Sequence, residues 1–174
     1  VPPEVALQVV NSIWNAGADL GIKCAGYHAL GSLRMEKAYR SWGRDLLPHT
    51  TPAEAGLLFA VSKKKEFIGA KAVREAKGKL TRQLAQFALD TGDEWLHGDE
   101  PVFRDGTYVG MVSSAAYGHS VGTMLAFAYV STGAGGHAEN SASGPYEIEI
   151  AGKRFAARRL SAPLYDPRGE RLHR

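Results

Sequence analysis

The chain has 174 residues, 44% of them hydrophobic and 22% charged, with a net charge of +3 and one cysteine. That is enough for one large or two small domains of a soluble globular type. A single cysteine excludes a disulfide framework and a cysteine-rich metal site, and so small a net charge does not by itself suggest nucleic acid. No run approaches the length of a membrane span. Val1-Pro2-Pro3-Glu4 carries no basic region followed by an apolar one, so no secretory signal is read. The absence of an initiator Met leads us to expect a piece of something longer.

Charge is uneven along the chain. Residues 1–78 carry 11 Lys and Arg against 7 Asp and Glu, a balance of +4. Residues 79–174 carry 10 against 11, a balance of −1. A basic first part facing a near-neutral second part suits a small anionic ligand, and equally an ordinary solvated surface.

Residues 3–19 read as a helix. Pro3 suits a first turn, Val5, Val9, Ile13 and Ala16 recur at helical spacing, and Gly17 or Gly21 stops it. Ile22 to Gly26 reads as a short strand with Cys24 as a buried small residue. Gly26 to Gly31 is a turn region. Ala29–Leu46 then alternates like a strand, with Leu33 and Met35 on one face and Arg34 and Glu36 on the other. Lys37, Tyr39, Arg40, Trp42 and Arg44 follow within eight positions. The plain reading is an edge strand and a solvated turn. The functional one is a carboxylate with aromatics and guanidiniums gathered around a flat polar heterocycle.

Residues 47–56 read as an ordered loop in which Glu54 caps backbone N–H groups. Leu57–Val61 reads as a strand, Ser62–Glu66 as a charged turn, and Ala70–Ala76 as a helix closed by Gly78, with Lys71 and Glu75 paired on its exposed side. From Lys79 the period changes to that of strands. Leu84, Gln86 and Ala88 share one face of Leu80–Leu89, and Ala85, Phe87 and Leu89 share the other. Pro101–Arg104 and Thr107–Val112 flank Asp105-Gly106, a type I′ hairpin signal. Ser113–Ser120 reads as a turn-rich link and Thr123–Val130 as an apolar strand. Tyr146–Ile150 and Arg154–Leu160 form a second hairpin around Ala151-Gly152-Lys153. Short strands without intervening helices indicate a small antiparallel barrel or sandwich, with a boundary near Gly78.

Gly133-Ala134-Gly135-Gly136-His137-Ala138 fits a G-x-G-x-x-A pattern, but no helix-forming sequence follows, so it reads as an inter-strand loop. The six histidines (His28, His49, His97, His119, His137, His173) have no metal-ligand spacing and read as surface loop residues. Lys63-Lys64-Lys65 reads as a solvated tip or, failing that, a phosphate contact.

Ser32-Leu33-Arg34-Met35-Glu36-Lys37-Ala38-Tyr39-Arg40-Ser41-Trp42-Gly43-Arg44-Asp45-Leu46 resembles the SLR-x-E-K-x-Y-R-x-W-G-x-D-L segment of dimethylglycine and sarcosine dehydrogenases. It also resembles the SLRLEAG…YG-x-D segment of the glycine cleavage T-protein (aminomethyltransferase) family. Collinear likenesses follow at Thr51–Leu57 (TPLEAGL), Phe67–Ala72 (FIG-x-x-AL), Gly106–Ser114 (G-x-x-VG-x-VTSG) and Leu125–Val130 (LAFAYV).

The resemblance implies an α+β fold. Residues 1–78 would be part of a folate-binding domain, and residues 79–174 a small antiparallel six-stranded β-barrel. It implies tetrahydrofolate between domains, accepting a one-carbon unit. Glu36 would anchor the pterin, taking two hydrogen bonds from a ring N–H and the exocyclic amine. Tyr39 and Trp42 would line the pocket or fill core, with Arg40 beside them. Lys65 stands where the family has an Arg, keeping the charge without the planar fork. The family's catalytic Asp and the dehydrogenases' FAD domain would precede Val1, so no catalytic residue and no metal is assigned here, and the piece is expected to be inactive alone. The implied partners are folate and the N-terminal FAD and folate domains of the same protein, with no nucleic acid and no membrane. The implied compartment is the bacterial cytoplasm or the mitochondrial matrix. The rival readings are a non-catalytic regulatory module of the same fold and a nucleic-acid-binding barrel, the latter opposed by the −1 balance.

Overall fold

The computed structural model describes residues 1–76, 78–133 and 144–172. The chain divides into two compact units, Val1–Leu30 and Gly31–Arg174.

In the first unit, α1 spans Pro3–Gly17, as its spacing predicts, and passes into a single 3₁₀ turn, Ala18–Leu20. Gly21, in the left-handed conformation at φ 71°, ends that turn. No residue of α1 is buried, and Val5, Leu7, Val10, Ile13 and Trp14 are all exposed. The strand expected at Ile22–Gly26 is absent, and Cys24 is exposed rather than buried.

The strand expected from Ala29 is instead a helix, α2, Tyr27–Glu36. Four residues of alternation satisfy either period. What decides is the burial of Ser32, Met35 and Glu36, at i, i+3 and i+4, while Leu33 stays exposed. Ala38, with φ 55°, closes α2 in a Schellman motif: its N–H donates to Met35 O (3.1 Å) and Tyr39 N–H to Arg34 O (2.8 Å). The strand expected at Leu57–Val61 is a 3₁₀ turn, Leu58–Ala60, that leaves Phe59 exposed. Helix α3, Ala70–Ala76, forms where read, with Lys71 and Glu75 3.9 Å apart.

Six antiparallel strands then close a barrel. They are β1 (Arg82–Leu89), β2 (Pro101–Arg104), β3 (Thr107–Gly118), β4 (Thr123–Ser131), β5 (Tyr146–Ile150) and β6 (Lys153–Leu160). Their order around the barrel is β1-β4-β3-β2-β5-β6, with β6 returning to β1. Both two-residue turns have two positive φ angles, Asp105 50° with Gly106 75° and Ala151 48° with Gly152 79°. That is the geometry whose twist matches the flanking strands. The link expected at Ser113–Ser120 is strand: β3 runs on through Gly118. Its small and hydroxyl side chains imitate turn composition, but the backbone is laddered to β4.

The interior holds Phe87, Val102, Val112, Ala126, Ala128, Val130 and Ile148. A second cluster lies outside β1 and β4, where Met35 of α2 packs with Leu84, Ala88, Leu125 and Phe127. Strands β1 and β4 are therefore covered on both faces, which explains their almost continuous apolar sequence. Gly110 has no substitute, since a Cβ there would lie 1.9 Å from Tyr129 O.

Candidate functional site

The last turn of α2 and the loop after it carry most of the candidate residues. Glu36 is 1% exposed. Its Oε1 accepts the Ser120 N–H at 2.6 Å, from the turn joining β3 to β4. Its Oε2 is enclosed and has no hydrogen-bond partner among the described residues. A buried carboxylate oxygen left in this state is costly, and it is an acceptor of the kind a ligand N–H can satisfy. Gly118 makes room for it: a Cβ there would lie 3.3 Å from Glu36 Cγ and 2.6 Å from Val121 Cγ2.

Tyr39 and Arg40 line one cavity of about 530 Å³ together with Lys37, Gln83, Phe127 and Arg159. Tyr39 is half exposed. Arg40 is engaged in the fold: Nε donates to Ala55 O (3.2 Å), Nη1 donates to Ala38 O (2.9 Å), and the guanidinium sits over the Phe127 ring. Burial lowers its pKa from the usual value, which Asp45 and Tyr129 partly offset. Trp42 lies outside that cavity, 72% exposed, on a small turn closed by a Gly43 N–H bond to Leu46 O. Lys65 is on the exposed 62–66 turn, where its backbone N–H donates to Ser62 Oγ (3.0 Å). The structure thus groups Tyr39 with Arg40 and leaves Lys65 and Trp42 apart from them.

Asp45 carries a larger role than its sequence context signals. It is fully buried. Its Oδ2 accepts Arg34 Nη1 (2.9 Å) and the Ser41 N–H (2.8 Å), and its Oδ1 accepts the hydroxyls of Ser113 and Ser114 (2.6 Å each). Adjacent residues of a regular strand point to opposite faces. Here the β3–β4 register shifts between Val112 and Ser114, so that Ser113 is the extra residue of a bulge and both hydroxyls reach one oxygen. Tyr129 Oη donates to Asp45 O (2.7 Å). Burial raises the Tyr129 pKa, partly offset by a hydrogen bond with Thr50. Of these partners, only Arg34 and Ser41 are near in sequence, which is why the hub is invisible to motif reading.

Glu54 caps its loop as expected. Its Oε2 accepts the Thr51 N–H (2.8 Å) and hydroxyl (2.9 Å), and Thr51 Oγ1 accepts the Glu54 N–H, a reciprocal capping box. Its Oε1 accepts Arg82 Nε (2.8 Å), tying the loop to β1. Burial pushes the Glu54 carboxyl up, but the Thr51 and Arg82 bonds outweigh it and leave the pKa lowered. Lys63, Lys64 and Lys65 are exposed, as are His28, His49, His97 and His119, with His28 on α2 rather than in a loop. Residues 134–138 of the glycine-rich pattern, including His137, and His173 lie outside the described residues. Among the described residues no three His, Cys, Asp or Glu side chains converge as metal ligands. No helix there is long and apolar enough to cross a membrane.

Two family models match the chain, the GCVT N-terminal domain over residues 1–65 and the glycine cleavage T-protein C-terminal barrel domain over residues 82–166. The chain belongs to the glycine cleavage T-protein family. Three curated relatives of this family member are similar over most of its length. They are a 4-methylaminobutanoate oxidase (formaldehyde-forming) of Paenarthrobacter nicotinovorans, 37% identical over 97% of this chain; a mitochondrial pyruvate dehydrogenase phosphatase regulatory subunit of Mus musculus, 36% over 94%; and a mitochondrial dimethylglycine dehydrogenase of Homo sapiens, 35% over 98%. The chain spans 20% of the length of each. A crystal structure of glycine cleavage system aminomethyltransferase T from Bartonella henselae is similar with a TM-score of 0.78 and 26% identity, covering 96% of this chain and 45% of that one. The T-protein fold read from the motifs, with its six-stranded barrel, is the fold observed.

Proposed function

We propose that the chain is the tetrahydrofolate-binding, one-carbon-transfer portion of a larger FAD-dependent dehydrogenase or oxidase of N-methyl amino acids, with the FAD outside these 174 residues. Relatives named as a 4-methylaminobutanoate oxidase and a dimethylglycine dehydrogenase support the reaction class. The family-model limits, residues 1–65 and 82–166, support a division of roles near residue 78. The mitochondrial and bacterial relatives support a matrix or bacterial cytoplasmic compartment.

The observation that carries the reading is the enclosed, unpartnered Oε2 of Glu36. A pterin offers a ring N–H beside an exocyclic amine, and a carboxylate accepts both with charge-assisted strength. Ser120 occupies one lone pair of Oε1 and leaves Oε2 unpaired among the described residues. In the conformation described, Oε2 is covered by the chain itself, so binding requires those covering atoms to move aside. Once bound, tetrahydrofolate would supply the acceptor for the one-carbon unit. The chain's own contribution is to hold the ring at Glu36 and to offer the exposed Tyr39 ring for stacking.

The test is calorimetric titration of tetrahydrofolate into the full natural chain and its Glu36→Ala variant. The expected loss is about 1–3 kcal/mol. Unchanged affinity removes Glu36 from the site, and no binding by the parent overturns the folate reading. The similarity to a phosphatase regulatory subunit favours a second reading, a ligand-binding module without catalysis. Tetrahydrofolate binding without amine-dependent reduction of FAD in the full natural protein would select it.

A further inference from the structure

We infer that Gln86 is a positioning residue for Glu36, an inference that rests on the folate reading above. On β1 its neighbours on the same face are Leu84 and Ala88, both packed against Met35. An amide at such a place is unfavourable unless bonded. Its Nε2 donates to Met35 O at 2.6 Å, the carbonyl immediately before Glu36. That carbonyl already accepts the Ala38 N–H at 3.1 Å as part of the helix cap. The Gln86 bond is therefore a second one on an oxygen already satisfied, and the helix end closes without it.

What the bond adds is location. The final turn of α2 is tied to the barrel directly at two points and, through Asp45 on the following loop, indirectly at a third, all within four residues of Glu36. Ser32 Oγ donates to Tyr117 O (2.7 Å), Arg34 is paired with Asp45 (2.9 Å), and Gln86 holds Met35 O. Among the described residues the Glu36 side chain makes one hydrogen bond of its own, with the Ser120 N–H. An anchor must hold its acceptor within about half an ångström of the productive position, and Gln86 holds the carbonyl that adjoins Glu36.

The experiment is a double-mutant cycle on tetrahydrofolate affinity in the full natural chain, using Gln86→Leu, Glu36→Gln and the pair, with melting temperatures alongside. Gln86→Leu should stay folded, and its Kd should rise about 5–10-fold. Added to Glu36→Gln it should cost nothing more, because the group it positions is already altered. A purely structural Gln86 would impose the same penalty in both backgrounds, and that result, or a Kd unchanged by Gln86→Leu, overturns the inference. If Gln86→Leu does not fold, Gln86→Met carries the same test, and failure of both to fold assigns Gln86 to stability alone and overturns it too. If Glu36→Gln binds like the parent, Glu36 is not the anchor and the inference falls with that assignment; if the parent does not bind, the folate reading itself has failed.

Discussion

The barrel and the segment from Ser32 to Leu57 lie in one compact unit but are held together differently. The barrel rests on apolar side chains that alternate in and out, with ring contacts such as Phe87 against Tyr146 at 5.0 Å, and on two turns with the backbone signs a hairpin needs. The segment rests on buried polar groups: Asp45 with four donors, Arg40 on two carbonyls, and Glu54 on Thr51 and Arg82. An apolar core that loses a side chain is left with a cavity it closes only in part, whereas a polar hub orphans every partner when its shared acceptor goes. The region that carries the candidate site is the one built on directional bonds, which set positions more finely.

The comparison is broken most sharply at Asp45. Asp45→Ala leaves Arg34, the Ser41 N–H, Ser113 and Ser114 without their common acceptor. Chemical denaturation should show a loss of about 3–5 kcal/mol, the scale for removing one partner of a buried ion pair. A loss under about 1 kcal/mol would mean that water replaces the carboxylate and that the hub is no more demanding than a surface site.

Acid probes the same contrast more gently. The folded pKa of Glu54 is lowered, so its contribution is present above the unfolded value of about 4.3 and is lost as pH falls through the folded value. Between about pH 5 and pH 3 the Thr51 amide should lose hydrogen-exchange protection before the β1 and β4 amides do. Glu54→Gln should remove about 1 kcal/mol at neutral pH and flatten that acid response. Smallest is Ala38→Gly. Ala38 holds a left-handed conformation where the T-protein pattern SLRLEAG has glycine. Glycine there should raise stability by about 0.5–1 kcal/mol, read as a higher melting temperature.

How much was legible follows the same division. The barrel is written locally: Asp105-Gly106 dictates its turn, and Ala85, Phe87 and Leu89 alternate with Leu84, Gln86 and Ala88, so strands and faces can be read without knowing their partners. The misread elements lie where tertiary contacts decide. Leu33 to Glu36 fits two periods, and only burial against the barrel selects the helix. Ser113 and Ser114 look like a turn because their hydroxyls serve an aspartate nearly seventy residues earlier. Cys24 looked like a core residue by type alone, and no packing holds it. Glu36 was singled out by resemblance rather than by physics. The structure adds what resemblance lacked, an enclosed oxygen with no donor among the described residues.

The most direct measurement is the carboxyl carbon resonance of Glu36 in chain labelled with ¹³C-glutamate, assigned by its disappearance in Glu36→Gln and followed during tetrahydrofolate titration. The pterin assignment predicts that this resonance shifts and saturates with the same Kd as calorimetric binding. A Glu36 resonance that stays fixed while tetrahydrofolate binds would contradict it.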